Sequence, residues 1–281
     1  MAISLASITR GVSAKPPRIL IYGVEGIGKS SFGANAPSPV FLPTEDGLGV
    51  IDAPSFPLAQ TYDDVLACLS ALINEEHGYS TLVVDSLDWM EPLIWRKVAQ
   101  TAGVGSVEDL GYGKGYVLAL DIWRDYLNAI NHLRDAKDMM VVQIAHAAIK
   151  PFNNPDTDSY DRFEIKLHRN KQGAGASPLL LEHSDCVLFA NYKTSVTQEK
   201  LGFNNTRTRA VGSGARMLYT QERPSYMAKN RYGLPESLPL DGNAWGVLAR
   251  HIPYLKRFLP DAPPPGVEEG ANTPSTNQTK E

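Results

Sequence analysis

Residues 23–30 read Gly-Val-Glu-Gly-Ile-Gly-Lys-Ser, which is the complete G-x-x-x-x-G-K-[ST] phosphate-binding loop. Its glycines let successive backbone N–H groups point at one anion, and a helix that follows adds partial positive charge there. Lys29 would reach the outer phosphates of a nucleotide, and the Ser30 hydroxyl would bind Mg²⁺. The predicted phosphate site consists of Gly23, Val24, Glu25, Gly26, Ile27, Gly28, Lys29, Ser30 and Ser31.

Three further polar side chains follow apolar runs that read as strands. Asp85 directly follows Leu-Val-Val and fits a second Mg²⁺ contact through water, with an ordinary helix N-cap as the alternative. Glu45 is a candidate to orient or deprotonate an attacking water, and Asp46 is the neighbour with which it could be confused. His146 follows another apolar run and is a candidate contact to a γ-phosphate, with a purely structural histidine as the alternative.

The elements that must position these residues alternate along the chain. Each of these residues lies at the carboxyl end of a predicted strand, and helices are predicted between the strands. This alternation predicts an α/β fold in which helices cover both faces of a mostly parallel sheet. The five predicted strands are residues 19–22, 40–42, 82–84, 139–144 and 186–189. The clearest predicted helices are residues 61–76 and 116–136. Residues 163–167 and 217–219 predict shorter, late antiparallel strands.

Composition limits the class of protein. The chain has 281 residues and a formal net charge of −4, so any nucleic-acid site must be a local patch. Cys68 and Cys186 have neither disulfide-scaffold nor metal spacing, which favours a reduced, cytoplasmic setting. No apolar run approaches the ~20 residues of a membrane span. We divide the chain into an N-terminal segment at 1–17 that is a possible subunit contact, an ATPase-like core at 18–259, and a Pro-rich acidic tail at 260–281 that is expected to be disordered.

Together these residues resemble the RecA-type recombinase core over roughly residues 19–232. In that family a catalytic Glu ends the strand after the phosphate-loop helix, as Glu45 does in Phe-Leu-Pro-Thr-Glu, and a strand ends in Val-Val-Asp-Ser, as residues 83–86 do. The family's usual Gln is replaced by His146. The Ile-Ala-His ending looks most like the phage-encoded RecA-like ATPases associated with single-strand annealing. The resemblance implies a RecA-like P-loop NTPase fold with a late antiparallel extension, and ATP and Mg²⁺ as cofactors.

The family order also implies two DNA-binding loops, at residues 103–115 and 149–176. Basic residues on mobile loops can follow phosphates, and an aromatic ring can stack on a base. A solvated hairpin is the alternative for the second loop. The candidate DNA-binding residues are Tyr112, Lys114, Arg162, Lys166, Arg169 and Lys171.

RecA-like assemblies supply basic residues from a neighbouring subunit to the nucleotide. Lys229 and Arg231 lie near the corresponding chain position and are the candidates here, with a solvated surface turn as the alternative. The predicted catalytic residues are therefore Glu45, Lys29, His146, Lys229 and Arg231.

The resemblance implies a DNA-linked ATPase that binds single-stranded DNA as a homo-oligomer, either ring or filament, and promotes annealing or homologous pairing. A single-stranded-DNA-binding protein is a further partner that the resemblance implies. Three alternatives remain open. They are a ring-forming motor of the helicase or packaging kind, a DNA-binding scaffold that uses ATP as a structural ligand, and a small-molecule kinase. The last ranks lowest because no Arg-rich lid follows the second half of the predicted sheet.

Overall fold

The structure is a computed structural model that describes residues 4–5, 8, 11, 14–154, 158–170, 175–200 and 206–260, with backbone only at 194–200 and 206–213. Most of the predicted N-terminal segment, the tail from residue 261 onward and Lys171 lie outside the described residues. Among the described helices, none combines the length and the hydropathy needed to cross a bilayer.

A mostly parallel sheet forms the centre of the chain and confirms the α/β prediction. In chain order the strands of its parallel part are β1 (Arg18–Gly23), β2 (Pro39–Pro43), β3 (Thr81–Asp85), β4 (Met140–Phe152) and β6 (Cys186–Lys200). They are arranged β2-β3-β4-β1-β6, and every neighbouring pair in this set is parallel. Because parallel strands end at the same edge, the carboxyl ends of β1, β2, β3 and β4 all meet there.

Antiparallel strands extend the sheet on one side, as the late predicted strands indicate. The strands β7 (Thr206–Tyr219) and β9 (Ser237–Pro239) continue the sheet beyond β6, and β8 (Lys229–Asn230) pairs with the start of β6. The strand β5 (Tyr160–Ile165) pairs with the second half of β4. The expected loop at 149–176 is therefore largely a β-hairpin, because the apolar strand that carries His146 continues to Phe152 instead of ending there.

Helices cover both faces of the sheet. One face packs against α2 (Tyr62–Asn74), α3 (Leu87–Ala102), α4 (Lys114–Ala136) and α5 (Ala176–His183), around Trp123 and Tyr126. The N-terminus of α2 has a capping box, in which the Thr61 and Asp64 side chains each accept a hydrogen bond from the other residue's backbone N–H. The expected loop at 103–115 contains a 3₁₀ turn at Val107–Leu110, and α4 already begins at Lys114.

The opposite face packs against α1 (Lys29–Ala34) and α6 (Ala244–His251). The Trp245 ring of α6 stacks on Phe32 of α1, with ring centroids 4.6 Å apart. The Trp245 indole N–H also donates a 2.8 Å hydrogen bond to the Phe32 carbonyl oxygen. The late helix α6 therefore supports the short helix that follows the phosphate loop.

Candidate functional site

The phosphate loop joins the end of β1 to the start of α1, as its sequence predicts. Gly26 and Gly28 have φ angles of 69° and 106°, in the left-handed region where a side chain is disfavoured. A Cβ on Gly23 would lie 2.1 Å from the Ala190 carbonyl oxygen on the adjacent strand β6. Glycine is therefore required at Gly23 by packing, and at Gly26 and Gly28 by backbone conformation.

The side chain of Lys29 folds back over the phosphate loop. Its Nζ donates hydrogen bonds to the Gly23 and Val24 carbonyl oxygens at 3.2 and 3.0 Å. Burial lowers the pKa of Lys29, and the nearby carboxylate of Asp85 opposes this shift. The ammonium group is thus held inside the loop, where an anion would replace carbonyl oxygens as its partners.

The two predicted metal ligands are in direct contact. The Ser30 hydroxyl donates to Asp85 Oδ2 at 2.6 Å. Burial raises the pKa of Asp85, and the Ser30 hydrogen bond opposes that shift. Hydroxyl and carboxylate oxygens are the hard ligands that Mg²⁺ prefers. In the described part of the chain no group of three or more His, Cys, Asp or Glu could hold a metal ion.

Glu45 is brought to the same edge by the pairing of β2 with β3. Pro43 lies opposite Asp85 in the register, and the Thr44 hydroxyl both accepts from the Ser86 N–H at 2.9 Å and donates to the Ser86 carbonyl oxygen at 2.6 Å. The Ser86 hydroxyl then donates to Glu45 Oε2 at 3.1 Å. The carboxylate of Glu45 is therefore oriented by the residue next to Asp85.

His146 reaches the site from β4 and is held by Asp88, a residue that the sequence analysis did not single out. Asp88 Oδ2 accepts from the ring Nδ1–H, and Oδ1 accepts from the His146 backbone N–H, both at 2.9 Å. Burial alone would raise the pKa of Asp88, but these hydrogen bonds lower it below its usual range. His146 Nδ1 also lies 4.0 Å from Glu45 Oε2.

These side chains line one pocket of about 290 Å³. A larger pocket of about 720 Å³ shares Glu45 but none of the phosphate-loop residues, and its walls include Trp89 and Trp95. Of these two pockets, only the smaller one is lined by residues of the phosphate loop. Its lining includes Gly26, Gly28, Lys29, Ser30, Ser31, Glu45, Asp85, His146 and Arg216.

Arg216 is the member of this pocket that sequence reasoning missed. It comes from β7, far from the phosphate loop along the chain, and its Nη1 lies 3.3 Å from the position that a Cβ on Gly28 would occupy. The residue is exposed, so its guanidinium can move toward a bound anion. No local motif marks this arginine, since its place depends on the pairing of β7 with β6.

Lys229 and Arg231 lie at the opposite edge of the sheet. Lys229 Nζ donates to the Leu181 carbonyl oxygen at 2.9 Å, and Arg231 pairs with Asp185 at 3.1 Å, next to the start of β1. They are therefore remote from the phosphate loop of their own chain. Their action on the nucleotide of a neighbouring copy stays a prediction.

Arg162 does not have the free guanidinium expected of a phosphate contact. It is buried, pairs with Glu164 at 3.0 Å and Glu222 at 3.3 Å, and its guanidinium carbon lies 3.7 Å from the centre of the Phe152 ring. Arg162 therefore connects β5 to the Phe152 ring of β4 and to Glu222 after β7, and the carboxylates of Glu164 and Glu222 neutralise its charge.

The other described DNA candidates lie nearer the surface. Lys166 is exposed, and Arg169 approaches Glu164 at 3.5 Å. Tyr112 is fully exposed with a φ of 49°, and Lys114 is the exposed first residue of α4. These four residues remain sterically accessible, and DNA binding by them stays a prediction.

A ring stack joins the two segments that were expected to bind DNA. The Tyr116 ring of α4 lies on the His168 ring, with centroids 4.1 Å apart and planes at 12°. The Tyr116 hydroxyl donates to Glu108 at 2.6 Å. The backbone N–H of His168 donates to both oxygens of Glu91, at 3.1 and 2.9 Å. Burial raises the pKa of Glu91 to about 7, against the effect of that N–H.

A family model described as an AAA domain matches residues 15–232, which is more than half of the chain and includes every residue placed above around the smaller pocket. No curated protein matches the chain.

Proposed function

Because the chain belongs to the AAA_24 family of AAA domains, a P-loop NTPase type, we propose that it is a magnesium-dependent ATPase that binds single-stranded DNA as an oligomer and promotes annealing or homologous pairing. The family supports a nucleotide-binding P-loop domain. The DNA-linked part of the proposal comes from the RecA-type resemblance and from the way the site is connected to the rest of the chain.

The observation that carries the ATPase proposal is the convergence of five side chains on one pocket. Lys29, Ser30, Glu45, Asp85 and His146 come from four separate segments and line the same space of about 290 Å³. The donor set fits a triphosphate with Mg²⁺, because it combines a buried ammonium, a glycine cradle and paired hydroxyl and carboxylate oxygens. When bound, Mg²⁺ would neutralise charge on the phosphates during transfer of the terminal phosphoryl group.

Glu45 is the residue that would take a proton from the attacking water. Its carboxylate is oriented by the Ser86 hydroxyl and is partly exposed to the pocket, so a water molecule can reach it. His146 would contact the terminal phosphate, since Asp88 accepts from Nδ1–H and leaves Nε2 facing another partner. Because phosphate oxygens only accept, Nε2 would donate to them as the second N–H of a ring protonated on both nitrogens. Lys29 would bind the outer phosphate oxygens, and Ser30 and Asp85 would hold the metal.

The link to DNA runs through β4 and α3. His146 lies on β4, which continues directly into the hairpin with β5 that carries the described basic residues. Asp88 and Glu91 lie one turn apart on α3, and the first binds His146 while the second binds the backbone of His168 after the hairpin. A change in the position of His146 would therefore reach the expected DNA-binding segments through two connections.

Oligomerisation would complete the nucleotide site. Lys229 and Arg231 lie at the edge of the sheet opposite the phosphate loop, so a head-to-tail assembly could present them to the neighbouring nucleotide. This arrangement suits either a ring or a filament.

ATP turnover with and without single-stranded DNA tests the proposal. We expect oligothymidine to stimulate phosphate release and to be retained more tightly with ATP than with ADP. A complementary-strand annealing assay should show ATP-dependent pairing, and a strand-displacement assay should show no unwinding. Turnover that DNA does not change, with no DNA retained, would refute the DNA-linked part. Unwinding of a duplex would favour a motor instead.

A further inference from the structure

The strands β6 and β7 continue well past the edge of the sheet that holds the nucleotide pocket. The strand β1 ends at Gly23, which lies opposite Ala190 of β6, but β6 itself continues to Lys200. Ten further residues at about 3.4 Å each extend roughly 30 Å from that edge. Among the described residues, β9 pairs with β7 only from Met217 to Tyr219. The part of β7 that precedes Met217 pairs with β6 alone, so these two segments form a two-stranded ribbon.

The ribbon is basic in a chain that is acidic as a whole. Residues 193–216 contain five basic residues and one acidic residue, whereas the formal net charge of the chain is −4. A basic stripe on one element, set against an acidic remainder, is the electrostatic pattern of a nucleic-acid contact. The basic residues are Lys193, Lys200, Arg207, Arg209 and Arg216, and the acidic one is Glu199.

The register places these charges along the ribbon. Arg207 and Arg209 are two residues apart on one strand, so they occupy positions on the same face. Glu199 lies opposite Arg207 and Thr197 lies opposite Arg209. The single acidic residue therefore offsets only one of the two arginine positions.

The base of the ribbon is part of the nucleotide pocket. Arg216 lines that pocket, and it lies opposite Tyr192, which is 37% exposed. An anion that drew the Arg216 guanidinium inward would act on the strand that continues to Arg209 and Arg207. The ribbon and the nucleotide pocket thus share one residue, Arg216.

We propose that the β6–β7 ribbon is an arm that binds the phosphate backbone of DNA, with Arg216 at its base connecting it to the bound nucleotide. The inference rests on the DNA-linked function proposed above. A polyanion is the occupant that charge complementarity favours, because the cationic positions repeat along about 30 Å of an extended ribbon. Two-stranded ribbons of this kind fit nucleic-acid grooves and backbones.

The test measures DNA affinity of the full chain against salt concentration. The variant Arg207→Gln/Arg209→Gln removes two cations from the ribbon. The matched control Arg250→Gln/Lys256→Gln removes two exposed cations from α6 and from the 3₁₀ turn at Pro253–Phe258. With a labelled 30-nucleotide oligothymidine, each lost phosphate contact lowers the slope of log K against log salt by about 0.7. The slope for the ribbon variant should therefore be lower by about 1.4, and the variant should bind about 25-fold more weakly at 0.1 M salt. The affinities of the variant and of the unchanged chain should become equal near 1 M salt.

Four further measurements sharpen the outcome. Arg207→Lys/Arg209→Lys should keep the slope, and Glu199→Gln should tighten binding by up to about fivefold, because it removes the opposing charge. A 30-base-pair duplex distinguishes single-stranded from double-stranded DNA as the source of the phosphates. ATP turnover without DNA should be the same for the ribbon variant as for the unchanged chain.

The inference and the proposed function fail differently. If the unchanged chain binds DNA and the ribbon variant binds as tightly as the control variant, the ribbon inference is wrong and the function stands. If the ribbon variant instead changes only the oligomeric state measured by sedimentation, the ribbon contacts another protein copy, and the inference is again wrong. If the unchanged chain binds no DNA, both fall, although DNA-independent ATP turnover would keep the ATPase assignment.

Discussion

Asp88 accepts two hydrogen bonds from His146, one from its backbone N–H and one from its ring Nδ1–H, each at 2.9 Å. The carboxylate thereby fixes the position of the residue, the rotation of its ring and the tautomer. Because α3 begins immediately after Asp85 and Ser86, this contact also fixes the middle of β4 relative to the sheet edge where Ser30 and Asp85 meet.

Asp88→Asn tests that positioning role. An asparagine amide can donate to Nδ1 where the carboxylate could only accept, so His146 should change to the Nε2–H tautomer. The neutral Nε2–H ring lacks the positive charge of a ring protonated on both nitrogens, so its contact with the terminal phosphate weakens. We therefore expect the kcat of ATP hydrolysis to fall about ten- to a hundredfold, while KM for ATP changes little. Nitrogen-detected NMR of the imidazole reports the tautomer directly. An unchanged tautomer with reduced activity would show that Asp88 acts in some other way.

Glu45→Gln tests the base. Glutamine keeps an oxygen that can accept from Ser86 but cannot take a proton, so we expect kcat to fall by on the order of 10²–10⁴. The dissociation constant for ATP, measured by calorimetry, should stay within about threefold of that of the unchanged chain, because the substitution removes a contribution to the chemical step and not to ATP binding. Asp46→Asn, at the exposed neighbouring position, is the matched control and should retain turnover. Loss of turnover in Asp46→Asn alone would reverse the assignment.

Arg216→Gln tests the cation from β7. A charge-assisted hydrogen bond contributes about 1.5 kcal/mol or more, so loss of one should weaken ATP binding about tenfold. Arg250→Gln removes the same charge from an exposed position on α6 and should leave the affinity unchanged. Equal affinities for both variants would exclude Arg216 from the phosphate contacts.

Glu91→Gln tests the buried carboxyl beneath the His168 backbone. Its pKa of about 7 in the folded state exceeds its ordinary value of 4.5, so the folded state binds more protons than the unfolded state between these pH values. The contribution of neutral Glu91 to the free energy of unfolding is therefore fully present below about pH 4.5 and is lost as the pH rises through about 7. Glutamine is always neutral and can still accept from the N–H. Urea unfolding should show equal stability at low pH and a gain for Glu91→Gln above pH 7; parallel curves at all pH values would contradict this.

Arg162→Gln separates an internal role from a DNA contact. The substitution leaves buried Glu164 without its closest cation, and breaking a buried pair in this way costs about 3 kcal/mol. Lys166→Gln, at an exposed position of the same segment, should change the free energy of unfolding by less than about 0.5 kcal/mol. Chemical denaturation of both variants measures the difference. A stable Arg162→Gln protein with weakened DNA binding would instead restore the original interpretation of Arg162.

Much of the nucleotide site could be predicted because its signals are local. The glycines, Lys29 and Ser30 form one contiguous motif, and Asp85 and Glu45 directly follow apolar strands whose parallel order brings their ends together. Arg216 could not be found this way, because its approach to Gly28 depends on the register of a late antiparallel strand. Asp88 was hidden for another reason, since an acidic residue in the first turn of a helix is also expected from the helix dipole alone.

The hairpin shows a second limit of sequence reasoning. A basic, glycine-containing stretch predicts a loop, but the pairing of Lys150 with Arg162 in the β4–β5 register depends on contacts between distant residues. The burial of Arg162 depends equally on Glu222, sixty positions away in the chain. Charge counted along the sequence therefore overstated what this segment offers to solvent.

The stacking of Trp245 on Phe32 bears on how this protein can be shortened for experiments. The family match ends at residue 232, yet the indole that covers the helix after the phosphate loop comes from thirteen residues later. A truncation at the family boundary would strip Phe32 of its cover and leave the Lys29–Ala34 helix facing water on that side. The smallest piece suited to expression and crystallisation therefore extends through Ala244–His251 to Pro253–Phe258, where Tyr254 and Leu255 close the same apolar cluster.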